Sequence, residues 1–382
     1  MTRFFKCSTF YTDYLRRFYQ SRPHLGDETY QVQYRALMDD CFAWADFWKK
    51  HLDATQRFET MDIVLNCEPL QKTWAKENNV TYHADTWMVD ILKAQMAEFR
   101  PEIWMCHTFD IGPEVRKELI AQNGIRYCIA WDGIAKHDVN FFSGCDLVLS
   151  GIGYTVDYYQ KVGIPSAVFK MGFEKSILQR INFNILPNYD FSFIGQILML
   201  AKGHNNRLTL LNQIAKKIDI ELWLSGDLGV KSLAKVFLSS IRRGDFDYIP
   251  KLIESLQANI ALTSQSRGVA YGLEMYKILA GSKIVLNSHI DAANGQAGNM
   301  RLYEATGVGA MLLTDNLKAT SELFSPGQEV VCYDNASHCI DLVELFLSDE
   351  SKRAEIAKAG QLRCLAKFNL EDSIKSLQSQ YL

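Results

Sequence analysis

Residues 283–315, KIVLNSHIDAANGQAGNMRLYEATGVGAMLLTD, run from one apolar segment through a loop and a helix-length segment to a second apolar segment. The pattern predicts strands at Lys283–Asn287 and Met311–Leu313. Between them it predicts a helix from about Asn299 to Thr306, with Gly307 as its left-handed stop. Since parallel strands need a crossover connection, this stretch indicates a strand–helix–strand unit of a parallel sheet.

The same alternation continues through both halves of the chain. In the first half, strands are predicted at Asp62–Asn66, Glu102–Cys106, Arg126–Ala130, Asp146–Ser150 and Ser166–Lys170. In the second half, further strands are predicted at Phe191–Ile194, Ile220–Leu224 and Val330–Tyr333. Apolar strands that alternate with helices are typical of a parallel sheet covered on both faces, so the chain is predicted to be α/β.

Amphipathic segments of helical length lie between these strands. In Thr86–Phe99, for example, apolar residues recur at intervals of three and four. Pro113 and Glu114 are typical of a helix first turn. The longer helices are predicted at Glu28–Leu52, Thr86–Phe99, Arg207–Lys217, Lys231–Ile241, Tyr248–Ala258, Tyr271–Leu279, Cys339–Leu347, Ser351–Lys367 and Leu370–Leu382.

The length of 382 residues exceeds what one ordinary hydrophobic core serves, so two domains are expected. The segment Asn182–Asp190, NFNILPNYD, is polar, contains a proline and lacks periodicity, and it is predicted to be the linker. We therefore expect two doubly wound, Rossmann-like domains, residues 1–181 and 190–368, that face a cleft. Residues 369–382 are a candidate for a helix that crosses back to the first domain. In such sheets, ligands bind beyond the carboxyl ends of the strands.

Composition narrows the functional class. A formal net charge of −3 argues against a generally basic nucleic-acid binder, so no nucleic-acid partner is expected. The nine cysteines are never spaced as CxxC, which indicates reduced thiols and no structural zinc. No apolar run approaches the ~20 residues that span a bilayer, and the N-terminus does not resemble a signal peptide, so a cytoplasmic location is predicted. Tyr14–Arg17 and Arg242–Arg243 are candidates for peripheral contact with anionic lipid at the inner face of a membrane, with a solvated surface as the alternative.

The loop Ser288–Gly298 and the helix after it have the composition of an anion site. Glycine and alanine let a backbone approach a ligand closely, and the helix start offers unpaired N–H groups. Arg301 adds a charge-assisted donor for phosphate oxygens. Glu304, on the same side of the helix, can accept hydrogen bonds from a ribose diol. The alternative is a surface helix pair between Arg301 and Glu304, worth ~0.3 kcal/mol.

Four blocks in order carry a family resemblance: GLEMYKILAGSKIVLNSH at 272–289, GNMRLYEATGVGAMLLTD at 298–315, LFSPGQEVVCYD at 323–334 and IAKAGQLR at 356–363. Together they resemble the C-terminal half of group 1 glycosyltransferases, in the spore-maturation or CgeB-like branch. The segment 193–195, Phe-Ile-Gly, resembles the strand and glycine that open the donor domain of that family. The first half of the chain resembles the family only in its general layout.

This resemblance implies a GT-B fold and transfer of a sugar from a nucleotide-diphosphate sugar to a glycan or lipid-linked acceptor, in bacterial surface polysaccharide synthesis. Glu304 falls at the second glutamate of the family's paired motif, the one expected on the ribose. The first position is Gln296, a departure that leaves donor-sugar recognition and the mechanism open, because an amide hydrogen-bonds a sugar hydroxyl without carrying a charge.

The remaining donor-site candidates follow from the same placement. Lys202 or Arg207 is expected on the diphosphate, with an exposed loop lysine as the alternative for Lys202. Gly195 permits close approach of a loop, while Asn287 and His289 end a strand on the ligand-facing edge, where a structural histidine is the alternative. The full predicted set of donor-binding residues is Gly195, Lys202, Arg207, Asn287, His289, Gln296, Gly298, Asn299, Arg301, Tyr303 and Glu304.

Three residues are candidates for the catalytic step: His107, Asp132 and Arg301. His107, with Asp110 near it, and Asp132 follow strands of the first half, where either could act as general base if the reaction inverts configuration. Asp132 could instead cap a turn. If the reaction retains configuration, the resemblance implies that the leaving phosphate helps to deprotonate the acceptor. Arg301 would stabilise the leaving diphosphate, and no metal or other cofactor is expected, since no metal-binding motif is present.

The first domain is expected to hold the acceptor. Aromatic residues that could stack on acceptor sugars, or form core instead, are Tyr11, Tyr14, Trp44, Trp48, Trp74 and Trp87. Two alternatives to a transferase stay open: a nucleotide-sugar epimerase of the same fold, and a non-catalytic nucleotide-binding partner subunit, for which Gln296 is the support. The oligomeric state is not predicted.

Overall fold

The computed structural model of the chain describes residues 1–133, 138–186, 188–197, 205–226, 238, 242, 248–289, 295–296 and 298–382. These residues form two compact units, residues 1–170 with 371–382, and residues 171–370. Each unit contains one parallel sheet flanked by helices. Lys202 and all but one residue of the predicted helix Lys231–Ile241 lie outside the described residues.

The first unit is built on six parallel strands. In chain order its elements are β1 (Thr2–Ser8), α1 (Thr12–Gln20), α2 (Tyr30–Asp39), α3 (Phe47–Asp53), β2 (Phe58–Val64), α4 (Glu68–Glu77), α5 (Trp87–Phe99), β3 (Ile103–His107), α6 (Pro113–Asn123), β4 (Tyr127–Trp131), β5 (Leu147–Ser150), α7 (Gly153–Lys161) and β6 (Ser166–Val168). The strand order is β2-β1-β3-β4-β5-β6. All five predicted strands are present, although β2 starts four residues earlier than predicted.

Sequence analysis missed β1, which lies between β2 and β3 in this sheet. The strand has a charged residue, Lys6, in its middle, so its sequence lacks the continuous apolar run expected of a buried strand. Lys6 donates from Nζ to both carboxylate oxygens of Asp62 on β2, at 3.0 and 2.9 Å, and both side chains are 1% exposed. Because each charge neutralises the other, the sheet can bury a lysine that the sequence pattern placed outside it.

The predicted helix Glu28–Leu52 is two helices, α2 and α3. Between them Cys41, Ala43 and Ala45 adopt left-handed backbone conformations, with φ values of 56°, 52° and 34°. Left-handed residues interrupt a helix, and none of these is a glycine that would have signalled the break. The turn lets Trp44 be buried, since its indole is 5% exposed.

The second unit is built on five parallel strands. In chain order its elements are α8 (Ile177–Arg180), β7 (Tyr189–Gln196), α9 (Asn205–Ala215), β8 (Glu221–Ser225), α10 (Tyr248–Gln265), α11 (Gly272–Ala280), β9 (Ser282–Leu286), α12 (Arg301–Val308), β10 (Met311–Asp315), α13 (Lys318–Leu323), β11 (Val331–Tyr333), α14 (Ala336–Ser348) and α15 (Glu350–Lys367). The strand order is β11-β10-β9-β7-β8. Every strand predicted in this half is present, with ends within two residues of the prediction.

The helix of the quoted stretch, α12, ends two residues later than predicted. Gly309, with φ of 92°, is its left-handed stop, and Gly307 lies inside the helix. A β-carbon at Gly307 would lie 2.3 Å from Cγ of Phe173, so this glycine is needed for close packing rather than for its backbone conformation.

The two segments at which the second unit begins and ends are hydrogen-bonded to each other through their backbones. The amide of Phe173 donates to the carbonyl of Phe368 at 2.8 Å, and the amide of Leu370 donates to the carbonyl of Phe173 at 3.1 Å. The last helix, α16 (Leu370–Tyr381), belongs to the first unit from Glu371 onward. The predicted linker, residues 182–190, lies within the second unit and includes a 3-10 helix at Phe183–Ile185.

Candidate functional site

Polar side chains collect at the carboxyl edge of the second sheet, the edge at which parallel α/β sheets bind ligands. They follow β9, end β10, lie in the first turn of α9 or directly precede α12. We call this group the carboxyl-edge cluster, which consists of Arg207, Asn287, Ser288, His289, Asn299, Thr314 and Asp315.

His289 and Asp315 form a pair across the ends of β9 and β10. Nδ1 of His289 lies 2.6 Å from Oδ1 of Asp315, and the backbone amide of His289 donates to Oδ2 at 3.1 Å. Burial raises the pKa of Asp315, but the hydrogen bonds and charge of His289 outweigh burial and leave that pKa below its usual value. Asp315 is therefore a carboxylate, which requires the proton of the neutral imidazole to be on Nδ1.

The other ring nitrogen of His289 has no hydrogen-bond partner among the described residues. Its side chain is 4% exposed, and Nε2 is buried. Residues 290–294, which follow directly, lie outside the described residues. The imidazole is thus fixed on one side by Asp315 and unsatisfied on the other, as expected of a side chain held for a ligand.

A chain of amides links this pair to the start of α12. Nδ2 of Asn299 donates to Oδ1 of Asn287 at 2.8 Å, and Nδ2 of Asn287 donates to Oγ1 of Thr314 at 2.9 Å. The Thr314 hydroxyl in turn donates to Asp315 at 3.0 Å. No side chain caps the first turn of α12, and Oδ1 of Asn299 is buried without a partner in the described part of the chain. The network therefore ends at unpaired polar groups beside a helix start.

Arg207 joins the ends of two strands, and its predicted contact with the diphosphate stays a prediction. Its Nη1 donates to the carbonyl of Gln196 at 2.9 Å, and its Nη2 donates to the carbonyl of Ser288. Its guanidinium lies 5.9 Å from the ring centre of Phe193, and the residue is 8% exposed. Carbonyls at the ends of β7 and β9 are acceptors that sequence spacing could not reveal. The structure thus gives Arg207 a role in fixing the edge.

Gly195 makes room for a neighbouring ring. A β-carbon at this position would lie 2.7 Å from Cζ of Phe193, two residues earlier on the same strand. The space that the glycine provides is occupied by that ring, which is a different use from the close approach of a ligand loop that was expected.

Arg301 and Glu304 lie against each other on the first turns of α12, as their spacing allows. Nη1 of Arg301 lies 3.0 Å from Oε2 of Glu304, and the side chains are 14% and 12% exposed. Nη2 of Arg301 donates to the carbonyl of Ile194 at 3.2 Å. Burial raises the pKa of Glu304, opposed by Arg301 and by a hydrogen bond with Tyr276. The two side chains form a helix pair, but a mostly buried one, and their direct contact with a diphosphate and a ribose stays a prediction.

The remaining donor-site predictions fall at different places. Tyr303 is 4% exposed and packs 5.5 Å from the ring of Phe368, and burial raises its pKa, so it belongs to the core. Gln296 and Gly298 are partly buried in the segment before α12. Their roles, and that of Lys202, stay predictions.

The two catalytic candidates of the first unit are enclosed. His107 is partly buried, its Nδ1 lies 3.4 Å from Oγ of Ser8, and burial followed by the charge of Lys6 lowers its pKa to about 3. Such an imidazole is a weak base at neutral pH. Asp132 is fully buried and accepts a hydrogen bond from the Tyr159 hydroxyl at 2.5 Å. Its burial and its bond to Tyr159 give no support to a role as general base, which stays a prediction.

Most of the aromatic residues considered for sugar stacking are core. Tyr14, Trp44, Trp48 and Trp74 are at most 6% exposed. Trp44 packs 4.7 Å from His107 and 4.9 Å from Trp131, measured between ring centres. Tyr11 is 66% exposed. Trp44 and Trp131 therefore cover the carboxyl edge of the first sheet with apolar surface.

Sequence analysis missed Thr314, Asp315 and Tyr333. The Tyr333 hydroxyl donates to the carbonyl of Asn287 at 2.9 Å. A signal was available for Asp315, because it ends the second strand of the quoted stretch, next to the strand that ends before His289. Polar residues at the ends of adjacent parallel strands meet at one edge.

The other possible sites among the described residues are weaker candidates for a functional site. A cavity of about 330 Å³ lies at the opposite, amino-terminal edge of the second sheet, lined by Leu186, Asn188, Ala280, Gly281, Ser282, Lys283, Gly309, Arg353, Ala354 and Ala357. Ligands of open α/β sheets bind at the other edge, so we do not assign it. Among the described residues, no group of three or more His, Cys, Asp or Glu side chains could hold a metal ion, and no helix is long and apolar enough to span a bilayer.

Comparisons with known proteins agree with this placement. Residues 247–379 match the family model described as "Glycosyl transferase-like". No curated protein matches the sequence. The segment that matches includes β9, α12 and β10, and therefore most of the carboxyl-edge cluster.

Solved structures resemble the whole chain. Anabaena Alr3699/HepE in complex with UDP-glucose is 12% identical, with 99% of each chain covered and a TM-score of 0.57. A glycosyltransferase from Rickettsia africae ESF-5 is 9% identical, with 100% of this chain and 97% of that chain covered and a TM-score of 0.55. Sucrose-phosphate synthase from Thermosynechococcus elongatus is 13% identical, with 100% and 98% covered and a TM-score of 0.52. The fold is therefore that of GT-B glycosyltransferases, with two Rossmann-like domains, as predicted.

Proposed function

We propose that this protein is a glycosyltransferase of the group 1 kind, which transfers a sugar from a nucleotide-diphosphate sugar. The observation that carries the proposal is the carboxyl-edge cluster, which lies at the ligand-binding edge of a Rossmann-like sheet. Most of that cluster falls inside residues 247–379, the segment that matches a glycosyl transferase-like family. A shared fold alone does not establish an activity, so the polar site is the stronger argument.

We propose that the second unit binds the donor. The uncapped start of α12 can donate to phosphate oxygens, and the buried, unpaired Oδ1 of Asn299 can accept from a ligand hydroxyl. Nε2 of His289 is also available to a polar group of the ligand. Arg301 and Glu304 would shape this site by tying α12 to the end of β7. A uridine diphosphate sugar is the first donor to test, because the similar Anabaena structure contains UDP-glucose.

The finer assignments rest on the sequence resemblance. They are the spore-maturation branch, a glycan or lipid-linked acceptor, a place in bacterial surface polysaccharide synthesis at the inner face of a membrane, and transfer without a metal ion. Lys202, Gln296 and Gly298 remain proposed donor ligands on the same ground. The lowered pKa of His107 and the buried position of Asp132 do not support either as the general base.

Binding of nucleotides is the first test. We expect at least one of UDP, GDP, ADP and their hexose conjugates to raise the melting temperature, since a ligand of the native state stabilises it. Asn287→Ala, which cuts the amide chain, should weaken that binding about tenfold or more, consistent with the loss of about 1.4 kcal/mol. Asn182→Ala, at an exposed position of the same unit, is the matched control and should bind normally.

Turnover of the bound donor then separates the alternatives. Release of nucleoside diphosphate that depends on an added acceptor supports the transferase. An isomerised sugar formed from the donor alone would indicate an epimerase, and binding without turnover across a donor panel would indicate a partner subunit. If no nucleotide or nucleotide sugar binds, the proposed function is wrong.

A further inference from the structure

A ring nitrogen of His289 is among the buried atoms of the carboxyl-edge cluster that have no hydrogen-bond partner within the described chain. Nε2 of His289 is buried and has no partner there, while Nδ1 of the same ring makes a 2.6 Å contact with Asp315. A buried polar atom without a partner destabilises the folded protein, so a ligand that supplies a partner is favoured there. The ring is held rigidly, because Asp315 also accepts the backbone amide of His289 at 3.1 Å.

The protonation state of the ring decides what this atom can bind. Asp315 is a carboxylate that accepts from Nδ1, so a neutral imidazole presents only a lone pair at Nε2. A lone pair repels a phosphate oxygen and accepts from a hydroxyl. An imidazolium, in contrast, presents an N–H that donates to a phosphate oxygen with the added strength of its charge.

The charged groups around the pair favour the imidazolium once an anion arrives. Asp315 offsets the added charge of the ring directly, as a carboxylate does for a histidine ligand. Arg207, which holds the carbonyl of the adjacent Ser288, brings a positive charge to the same edge. Arg301 and Glu304 on α12 form an ion pair and together add no net charge. Tyr333 and Cys332 from β11 also face Asp315, but burial, and then that carboxylate, raise the pKa of both, which keeps them neutral. With a neutral ring, Asp315 and Arg207 offset each other, so a proton taken up by His289 is what would give an incoming diphosphate a net positive surrounding.

We propose that His289 takes up a proton as a diphosphate binds and then donates Nε2–H to a phosphate oxygen, with Asp315 as the positioning residue that makes this uptake favourable. This inference rests on the proposed function and deepens it, because it names the group that recognises the leaving diphosphate. It makes donor binding dependent on pH, with affinity falling as pH rises, since the complex holds one more proton than the free protein.

The test is a calorimetric titration of the whole protein with UDP at pH 8. Binding heats measured in HEPES and in Tris, which differ in ionisation enthalpy, give the number of protons taken up. We expect about one proton per UDP for the unmodified protein, from the linkage between protonation and binding. We also expect none for His289→Gln and at least a tenfold weaker binding for Asp315→Asn. Asp341→Asn, an exposed carboxylate on α14, is the matched control and should behave like the unmodified protein.

Uridine, which lacks phosphate, provides a second measurement that needs no variant. It should bind without proton uptake. UDP binding without uptake, or equal uptake with uridine and UDP, would overturn the inference, since Nε2 would then be accepting a hydroxyl or be uninvolved, while the proposed donor site would stand. If no nucleoside diphosphate binds at any pH, both the inference and the proposed function fail.

Discussion

The carboxyl edges of the two sheets have the same backbone architecture and opposite chemistry. At the first sheet, Trp44, Trp131 and Phe169 pack around His107, and ring centres lie 4.7 to 6.2 Å apart. At the second, hydrogen bonds connect Asn299 to Asp315 and leave buried polar atoms unpaired. A histidine ends a strand at both edges, so residue type and position alone do not identify the site.

The surroundings of each histidine make the difference. Burial among aromatic rings and, after it, the charge of Lys6 lower the pKa of His107 to about 3. At the second edge, the carboxylate of Asp315 contacts Nδ1 of His289 and fixes the tautomer of the ring. The first edge is therefore lined by packed aromatic rings, whereas the second has the unpaired polar atoms that the proposed donor site would use. Three variants test this contrast.

The largest effect is expected where the first edge is treated as core. Trp44→Ala removes a 5%-exposed indole that contacts His107, Trp131 and Phe169. The free energy of unfolding should fall by about 4 kcal/mol, as for other large aromatic residues removed from a core. Urea denaturation measures it. Tyr11→Ala, at a ring 66% exposed, should cost under about 1 kcal/mol. Equal losses for both variants would mean that the first edge is not closed.

A smaller loss is expected at the second edge from Arg207→Ala. The substitution leaves the carbonyls of Gln196 and Ser288 without their donor, which should reduce the free energy of unfolding by about 2–3 kcal/mol. Urea denaturation again measures it, with the exposed Lys216→Ala as control. An Arg207→Ala protein of unchanged stability that no longer binds nucleotide would instead restore the predicted role of Arg207 as a direct phosphate ligand.

The smallest effect is a pH dependence at the first edge. Because the folded protein keeps His107 neutral down to about pH 3, only the unfolded chain binds its proton between pH 6.5 and 3, and stability is lost as pH falls through that range. Between pH 7.5 and 5, the unmodified protein should lose about 2 kcal/mol more than His107→Phe. Asp62, whose pKa burial raises to about 6, titrates in both proteins, so only their difference counts. Parallel pH profiles would contradict the buried, neutral histidine.

Sequence predicted the fold where local patterns agree with the final environment. Strands β7 to β11 have largely apolar centres, and all five were placed within two residues. Strand β1 was missed because its central lysine is neutralised by Asp62, 56 residues away in sequence. The break after α2 was missed because its left-handed residues are a cysteine and two alanines. Both misses come from tertiary contacts that local patterns do not contain.

The candidate site was likewise predictable only where local sequence patterns place its residues. Asn287, His289 and Asn299 could be placed at one edge because they follow or precede predicted elements. The partners of Arg207 and Arg301 could not, because both guanidinium groups bind backbone carbonyls, which every residue carries. Tyr303 was assigned to the site from its position in α12, but the helix turns it toward Phe368. Orientation around a helix depends on what packs against it.

The backbone pairing of Phe173 with Phe368 and Leu370 has a topological consequence. The second unit is inserted into the sequence of the first, since the polypeptide enters and leaves it at neighbouring points and residues 1–170 and 371–382 both belong to the first unit. Deletion of residues from either end of the chain would therefore remove residues of the first unit only. Excision of residues 171–370 would require only a short peptide to rejoin the remainder, as for other domains whose ends lie side by side.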